Sequence, residues 1–334
     1  MNYIGSKNKL AAFIIGQIEQ VVGVDLSEMV FAEIFGGTGI IARRLKTKVK
    51  QVIVSDVESY SYILLRNYIG NTNILDLDLK ILQLNHLPLL EGFVYKNYCL
   101  GSGSERLYFS DENGKKIDAI RTQIEQWKKQ KELTQDEYYF LLASLLESAD
   151  KVANTASVYG AFLKKLKKTA QKTLQLKAAN FDISTQRNLV FQQNANQLIK
   201  EIEGDILYLD PPYNARQYGA NYHLLNTIAL YDNFTPKGKT GLRDYERSVY
   251  CKKNEVLEQF EQLIQDSRFR YIFVSYNNEG LMSLDQIRSI MEKYGDYRLA
   301  TTAYQRFKAD RTENRNHKAV GTFEYLHILE KPQD

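Results

Sequence analysis

Leu207-Tyr208-Leu209-Asp210-Pro211-Pro212-Tyr213 is the stretch on which the fold turns. The apolar run from Ile206 to Leu209 reads as a buried strand, and it stops at an acid, two prolines and an aromatic. A proline after Asp210 pushes that residue toward extended geometry, and two prolines in succession fix φ and remove two backbone donors. The outcome is a stiff corner at the carboxyl end of a strand, which is where open α/β sheets bind ligands. The corner offers a carboxylate, carbonyls without competing N–H groups, and a ring. A planar base with an exocyclic amine suits it: the Asp210 carboxylate and the Pro211 carbonyl accept its two N–H bonds, and Tyr213 stacks on its face. The alternative is a strand-ending turn with a surface tyrosine.

The totals allow one large or two modest domains in 334 residues. A hydrophobic fraction of 44% and a charged fraction of 25% are those of a globular chain. The net charge of +4 is mild, so a polyanionic partner has to be argued from where the charge sits. Cys99 and Cys251 are the two cysteines, without CxxC spacing. This argues against a zinc site or a disulfide framework and fits a reducing cytosol. His86, His223, His317 and His327 lack metal-ligand spacing, so no metal is expected. With no apolar run near membrane-spanning length and no signal-like N-terminus, a cytoplasmic protein without membrane contact is expected.

Going outward from the corner, Met29–Ile34 reads as a strand ending at Glu33-Ile34, and Phe35-Gly36-Gly37-Thr38-Gly39 follows as a glycine-rich turn into a helix over 40–45. Glycines let the backbone approach a ligand closely. The turn lacks GxGxxG spacing and a Walker Lys-Ser/Thr, so it is not a phosphate cradle. The next strand, 51–55, ends in Asp56, about twenty residues past the glycine turn, where doubly wound folds place a carboxylate on ribose hydroxyls. Asp56 could instead cap the helix over 57–67. At the N-terminus, Tyr3 and Lys7 precede an amphipathic helix, as a loop closing over a ligand or as a surface arm.

Residues 76–185 change character. Ile117, Ile120, Ile124 and Trp127 mark one amphipathic helix, and Thr134-Gln135-Asp136-Glu137 is a capping box opening a second. Lys164, Lys165, Lys167, Lys168, Lys172 and Lys177 follow with few acids nearby. The block reads as a helical insertion with a basic face, either for phosphate contact or simply solvated. Past it come strands at 189–192, 206–209 and 271–275, helices at 195–202, 223–231, 256–264 and 284–291, and two closing strands near 298–304 and 323–329. Lys239 lies in a basic flexible segment. Arg306, Lys308, Arg311 and Arg315 lie in a basic hairpin loop, read either as a nucleic-acid finger or as a disordered surface loop, which look the same in sequence.

In kind and order these pieces resemble the Dam-type N6-adenine DNA methyltransferases, in particular restriction-associated members. The pieces are Tyr3-x-Gly5-x-Lys7, Phe35-x-Gly37-x-Gly39 after Glu33, Asp56 after the second strand, a helical insertion, and Asp210-Pro211-Pro212-Tyr213 followed by Asn214-Ala215-Arg216-Gln217-Tyr218. Each motif alone is weak, but all of them in this order are strong. The resemblance implies a Rossmann-like, seven-stranded mixed sheet over 1–75 and 186–334, with a mainly helical target-recognition domain inserted at 76–185. It implies S-adenosylmethionine as methyl donor, with Tyr3, Gly5 and Lys7 over the cofactor, Glu33, Phe35, Gly36, Gly37 and Gly39 at its methionine end, and Asp56 on its ribose. The family often carries an acid near the cofactor adenine where this chain has Gln193-Asn194, which leaves Asn194 as the counterpart. Asp210, Pro211, Pro212 and Tyr213 take the catalytic role and Asp210 also faces the cofactor. The partners implied are double-stranded DNA, through Lys164, Lys165, Lys167, Lys168, Arg216, Lys239, Arg306, Lys308, Arg311 and Arg315, and a cognate restriction endonuclease acting on the same site.

An adenine inside a duplex must flip out to be methylated. Two acceptors at 210 and 211 then draw the N6 protons out of conjugation, and the lone pair attacks the methyl group directly. Three other readings compete: an inactive nucleic-acid-binding module with the same fold, a methyltransferase acting on RNA adenine, and a dinucleotide oxidoreductase. The oxidoreductase lacks its GxGxxG signature here.

Overall fold

The computed structural model describes residues 5–304 and 322–332. The backbone divides into two units, one over Glu58–Thr185 and Tyr218–Glu246, the other over Lys7–Val57, Gln186–Gln217 and the chain from Arg247 onward.

The second unit holds a seven-stranded sheet of β1 (Val30–Glu33), β2 (Gln51–Ser55), β3 (Leu189–Phe191), β4 (Glu203–Leu209), β5 (Arg268–Asn277), β6 (Asp296–Tyr304) and β7 (Thr322–Glu330) in the order β3-β2-β1-β4-β5-β7-β6. Neighbours from β3 to β5 pair in parallel, while β7 is antiparallel to both β5 and β6. This is the mixed sheet that the sequence implies. The central strands read as apolar runs because helices cover both faces of a parallel sheet. Ile206, Leu207, Tyr208 and Leu209 are fully buried, as are Ile272, Phe273 and Val274 beside them. Each such side chain contributes about 1.5–3 kcal/mol over its exposed state. One core gathers Ala32, Ile53, Leu207, Leu209, Ile272 and Val274 with Phe260, Leu263 and Ile264 of the helix Val256–Asp266.

Register places the functional edge. Glu33 lies opposite Val54 and Tyr208, Leu209 opposite Val274, and Asn277 opposite Glu324. The parallel strands therefore finish at one edge, and β7, running the other way, begins there. Strand order reverses between β1 and β4, which makes the gap between their carboxyl ends the topological switch point.

The first unit is helical. Its main members are Ser59–Leu65, Asp78–Asn85, Phe93–Tyr98, Asp111–Lys129, Gln135–Val152 and His223–Leu230. Thr134 and Glu137 form the expected capping box. The core is aromatic, built from Tyr60, Tyr98, Tyr108, Phe109, Trp127 and Tyr159 with Ile117, Ile120 and Ile124. Its buried charges close helix ends. Asp118 accepts from the backbone of Val94 and Tyr95, both at 2.8 Å, and Arg121 donates to the carbonyls of Ile228 (3.0 Å) and Ala229 (3.1 Å).

Two expectations differ from this structure. The helical unit is larger than 76–185, because 58–75 and 218–246 belong to it: Tyr60, Ile63, Leu64, Leu224, Leu225 and Ile228 pack into the helical core. The lysines at 164–177 do not line a helix. They lie on an irregular segment pinned by two buried asparagines. Asn154 donates to Leu107 and Leu163 carbonyls at 2.9 Å and accepts from Lys167 N at 3.0 Å. Asn113 donates to the Lys172 carbonyl (2.9 Å) and accepts from Leu174 N (2.7 Å).

Candidate active site

The glycine turn is shaped by backbone that only glycine adopts freely: Gly37 has φ 52° and Gly39 φ 68°. Gly36 N donates to the Ser55 carbonyl at 2.9 Å, which ties the turn to the end of β2. Gly39 stands at the N-cap of the helix Ile40–Leu45 and has no side chain to cap it. Glu33 does so from β1, its Oε2 accepting from Ala42 N at 2.9 Å. Burial, against that hydrogen bond, pushes the Glu33 carboxyl up to about 8, with Asp210 and Asp56 adding to the rise. Asp56, half-buried, accepts from Gly37 N at 2.7 Å, so the acid after β2 grips the turn.

Asp210 follows β4 with 18% of its side-chain surface exposed. The Lys7 ammonium, almost wholly buried, lies 3.1 Å from Asp210 Oδ1 and 2.6 Å from Glu324 Oε1. Among the described residues the Glu324 contact is the well-aligned hydrogen bond of this ammonium, and buried Asp210 Oδ1 holds it as an ion pair. Desolvation alone would lower the lysine, but the carboxylates of Asp210 and Glu324 outweigh it and hold Lys7 well above the usual range. Desolvation raises Asp210 to about 6, the Lys7 charge opposing and the Glu324 charge assisting.

Pro211 is buried, and Pro212 and Tyr213 are half-buried. The Tyr213 ring meets Tyr276 edge-on at 6.1 Å, and Lys7 Nζ lies 5.4 Å from its centroid. The Tyr213 carbonyl accepts from Leu281 N at 2.9 Å, which fixes the corner to the turn after β5. Beneath it the Tyr208 hydroxyl pairs with Ser275 Oγ at 2.9 Å.

Phe35 packs edge-on against Tyr250 at 4.9 Å, and the Tyr250 hydroxyl donates to Asn196 Oδ1 at 2.7 Å. Asn194 caps the short helix Ala195–Leu198, accepting from Asn196 N at 2.9 Å. Gln217 exchanges two hydrogen bonds with the backbone of Ser248, at 2.8 and 3.2 Å.

Lys7, Glu33, Phe35, Gly36, Gly37, Gly39, Asp56, Asn194 and Asp210–Tyr213 thus all lie in the sheet unit, around the ends of β1, β2, β3 and β4. Gly5 has φ 79°. Lys164, Lys165, Lys168 and Lys239 are exposed in the helical unit, and Arg216 is exposed in the sheet unit. Lys167 differs, since its ammonium donates to the Thr155 carbonyl at 2.7 Å. Tyr3, Arg306, Lys308, Arg311 and Arg315 lie outside the described residues. Sequence reasoning missed Glu324, Tyr250 and Ser275. For Glu324 there was a signal: an acid inside an otherwise apolar strand has to find a partner. Among the described residues there is no group of three or more His, Cys, Asp or Glu placed to hold a metal, and no helix long and apolar enough to cross a membrane.

A sheet of this order with one antiparallel strand, a glycine turn after β1, an acid after β2 and Asp-Pro-Pro-Tyr after β4 defines an S-adenosylmethionine-dependent methyltransferase of the Rossmann-like kind. The model of the D12 class N6 adenine-specific DNA methyltransferases matches residues 3–290. The chain belongs to that family: it is a site-specific DNA adenine methyltransferase that uses S-adenosylmethionine. It is 65% identical over 332 residues to the Type II methyltransferase M.NlaIII of Neisseria lactamica, covering 99% of both chains. It is 37% identical over 324 residues to M.CviAII of Paramecium bursaria Chlorella virus 1, covering 92% of this chain and 93% of that one. With M.FokI of Planomicrobium okeanokoites it shares 39% identity over 347 residues, spanning 99% of this chain but 53% of the relative.

Proposed function

We propose that Asp210 Oδ1 is the acceptor that orients the target adenine N6. The observation that carries this is a buried carboxylate oxygen at the end of β4 that accepts no well-aligned hydrogen bond among the described residues and has only the Lys7 ammonium, 3.1 Å away, as its ion-pair neighbour. A ligand N–H donor would give it the directed hydrogen bond that it lacks. The Pro211 carbonyl supplies the second acceptor, and Tyr213 stacks on the flipped base.

The residues present suit S-adenosylmethionine. A turn with no side chain at Gly36, Gly37 and Gly39 allows close backbone approach, and Asp56, Asn194, Phe35 and Lys7 surround it with acceptors, a ring and a cation. When bound, this group supplies an electrophilic methyl on a sulfonium. Asp210 holds the N6 lone pair outward for in-line attack. As the nitrogen–carbon bond forms and the carbon–sulfur pair stays on sulfur, the Asp210 carboxylate offsets the positive charge growing on N6. The surplus N6 proton then leaves to solvent.

Only the carboxylate form of Asp210 can do this. With its carboxyl raised to about 6, activity is present above that pH. It is expected to fall about tenfold per pH unit below. Single-turnover rates between pH 5 and 8 check this; an acid limb near pH 4 would remove Asp210 from the role.

We assign target recognition to the helical unit, with DNA phosphates met by Lys164, Lys165 and Lys168. Support comes from their exposure on a chain held by Asn154 and Asn113. Changing these three lysines to glutamine is expected to flatten the dependence of log K on log salt by about 0.9 for each phosphate that is no longer neutralised. An unchanged slope would remove this segment from the interface. A cognate restriction endonuclease acting on the same sequence is the fitting partner, given Type II relatives, and a cytoplasmic location is the reading that goes with it.

A further inference from the structure

Lys7 poses a difficulty for the chemistry just described. An ammonium 3.1 Å from Asp210 Oδ1 competes with the substrate amine for that oxygen and repels the charge that builds on N6. Left as a simple pair, Lys7 and Asp210 would be electrically neutral together.

β7 removes the difficulty. Because it runs antiparallel, its first residues sit at the edge where the parallel strands finish, with Glu324 opposite Asn277. Glu324 is 4% exposed, and its Oε1 takes the Lys7 hydrogen bond at 2.6 Å. The same ammonium stays 3.1 Å from Asp210 Oδ1 as an ion pair without a well-aligned hydrogen bond. We infer that Glu324 is a positioning residue for methyl transfer: it takes the directed hydrogen bond of Lys7 and shares its charge, so that Asp210 Oδ1 is held by the ion pair alone and can accept from the substrate amine. This rests on the reading of Asp210 as the N6 acceptor.

The other groups facing this cluster are the hydroxyls of Tyr208 and Tyr213, on Lys7, and the Glu33 carboxyl, on Asp210, with Asp56 next to Glu33. With Glu324 ionised, Lys7, Asp210 and Glu324 together carry one negative charge. Substitution by glutamine removes it and leaves Asp210 to the ammonium.

The test is Glu324→Gln in the full chain, read by single-turnover methyl transfer to unmethylated bacterial DNA and by calorimetric binding of S-adenosylmethionine. The rate is expected to fall about 10–100-fold. Cofactor affinity is expected to stay within about twofold, as for an interaction that is made only in the transition state. The acid limb should move to lower pH, because the carboxylate that repels the Asp210 charge is gone and the ammonium pairs with Asp210 instead. Glu324→Asp should recover part of the rate. In a Lys7→Met background, Glu324→Gln should cost nothing further, since the cation it answers is absent. An unchanged rate, an equal loss of rate and affinity with the acid limb in place, or the same loss in the Lys7→Met background would each overturn the inference. Asp210→Ala separates the two readings: activity surviving there refutes the role of Asp210 itself, whatever Glu324 does.

Discussion

Asp210→Ala is expected to lose methyl transfer by about 10²–10³-fold or more in single turnover, the scale of removing one preorganised electrostatic partner. The reason is local. Asp210 Oδ1 is a buried acceptor that, among the described residues, has the Lys7 ion pair at 3.1 Å but no well-aligned hydrogen bond. Alanine takes away both that acceptor and the carboxylate charge proposed to face the attacking nitrogen. It also frees Lys7, but Glu324 still holds that ammonium at 2.6 Å, so the corner should keep its shape. Cofactor and DNA affinity should therefore change much less than the rate. Asp210→Asn gives a sharper comparison. It keeps the size and one acceptor, loses the charge, and should lie between alanine and the native enzyme. A rate loss matched by an equal loss of cofactor affinity would place Asp210 in cofactor binding alone.

Tyr213→Ala is the second large effect. Stacking of a base on an aromatic ring contributes about 1–3 kcal/mol, or roughly 5–150-fold. The native ring is already oriented: Tyr276 meets it edge-on, and its backbone carbonyl is tied to Leu281. Little ordering is then left for the moment of base flipping. The loss is expected in the flipping step, so fluorescence of 2-aminopurine at the target position should fall along with the rate. Tyr213→Phe should restore most of both, because the ring face stacks, not the hydroxyl. A phenylalanine variant as impaired as alanine would show that the hydroxyl, not the face, carries the function.

The corner itself was legible because its signal is local. A strand that stops at Asp-Pro-Pro-Tyr can hardly continue, and β4 ends at Leu209 as its residues dictate. The same holds for Ile40–Leu45 after the glycine turn and for the capping box of Gln135–Val152. Among the helices that escaped notice, two show why. Asp78–Asn85 buries only Leu84 and leaves Leu79 and Leu82 exposed, so it shows no clean apolar stripe. Phe93–Tyr98 is held at its start by Asp118, a tertiary contact that no local pattern reveals. The boundary of the helical unit was misplaced for a related reason. The helix over 57–67 was read from the sequence, but not which core receives Tyr60, Ile63 and Leu64. The lysine run at 164–177 was placed in a helical insertion with a basic face, yet its own backbone is irregular, because charge density says nothing of backbone. Asp56 was read as a ribose ligand, and its carboxylate accepts a hydrogen bond from Gly37 N, a backbone contact that the sequence does not reveal. Lys7 and Glu324 are 317 residues apart, and only the antiparallel course of β7 brings them together.

Methyl transfer to adenine N6 of DNA is proposed to run through the corner at Asp210. The most direct measurement is digestion to nucleosides, with mass spectrometry, of unmethylated bacterial DNA incubated with the protein and S-adenosylmethionine, beside an Asp210→Ala control. N6-methyladenine in the first sample and its near-absence in the second is the expected result. Methylation on cytosine, or N6-methyladenine at equal levels in both samples, would contradict it.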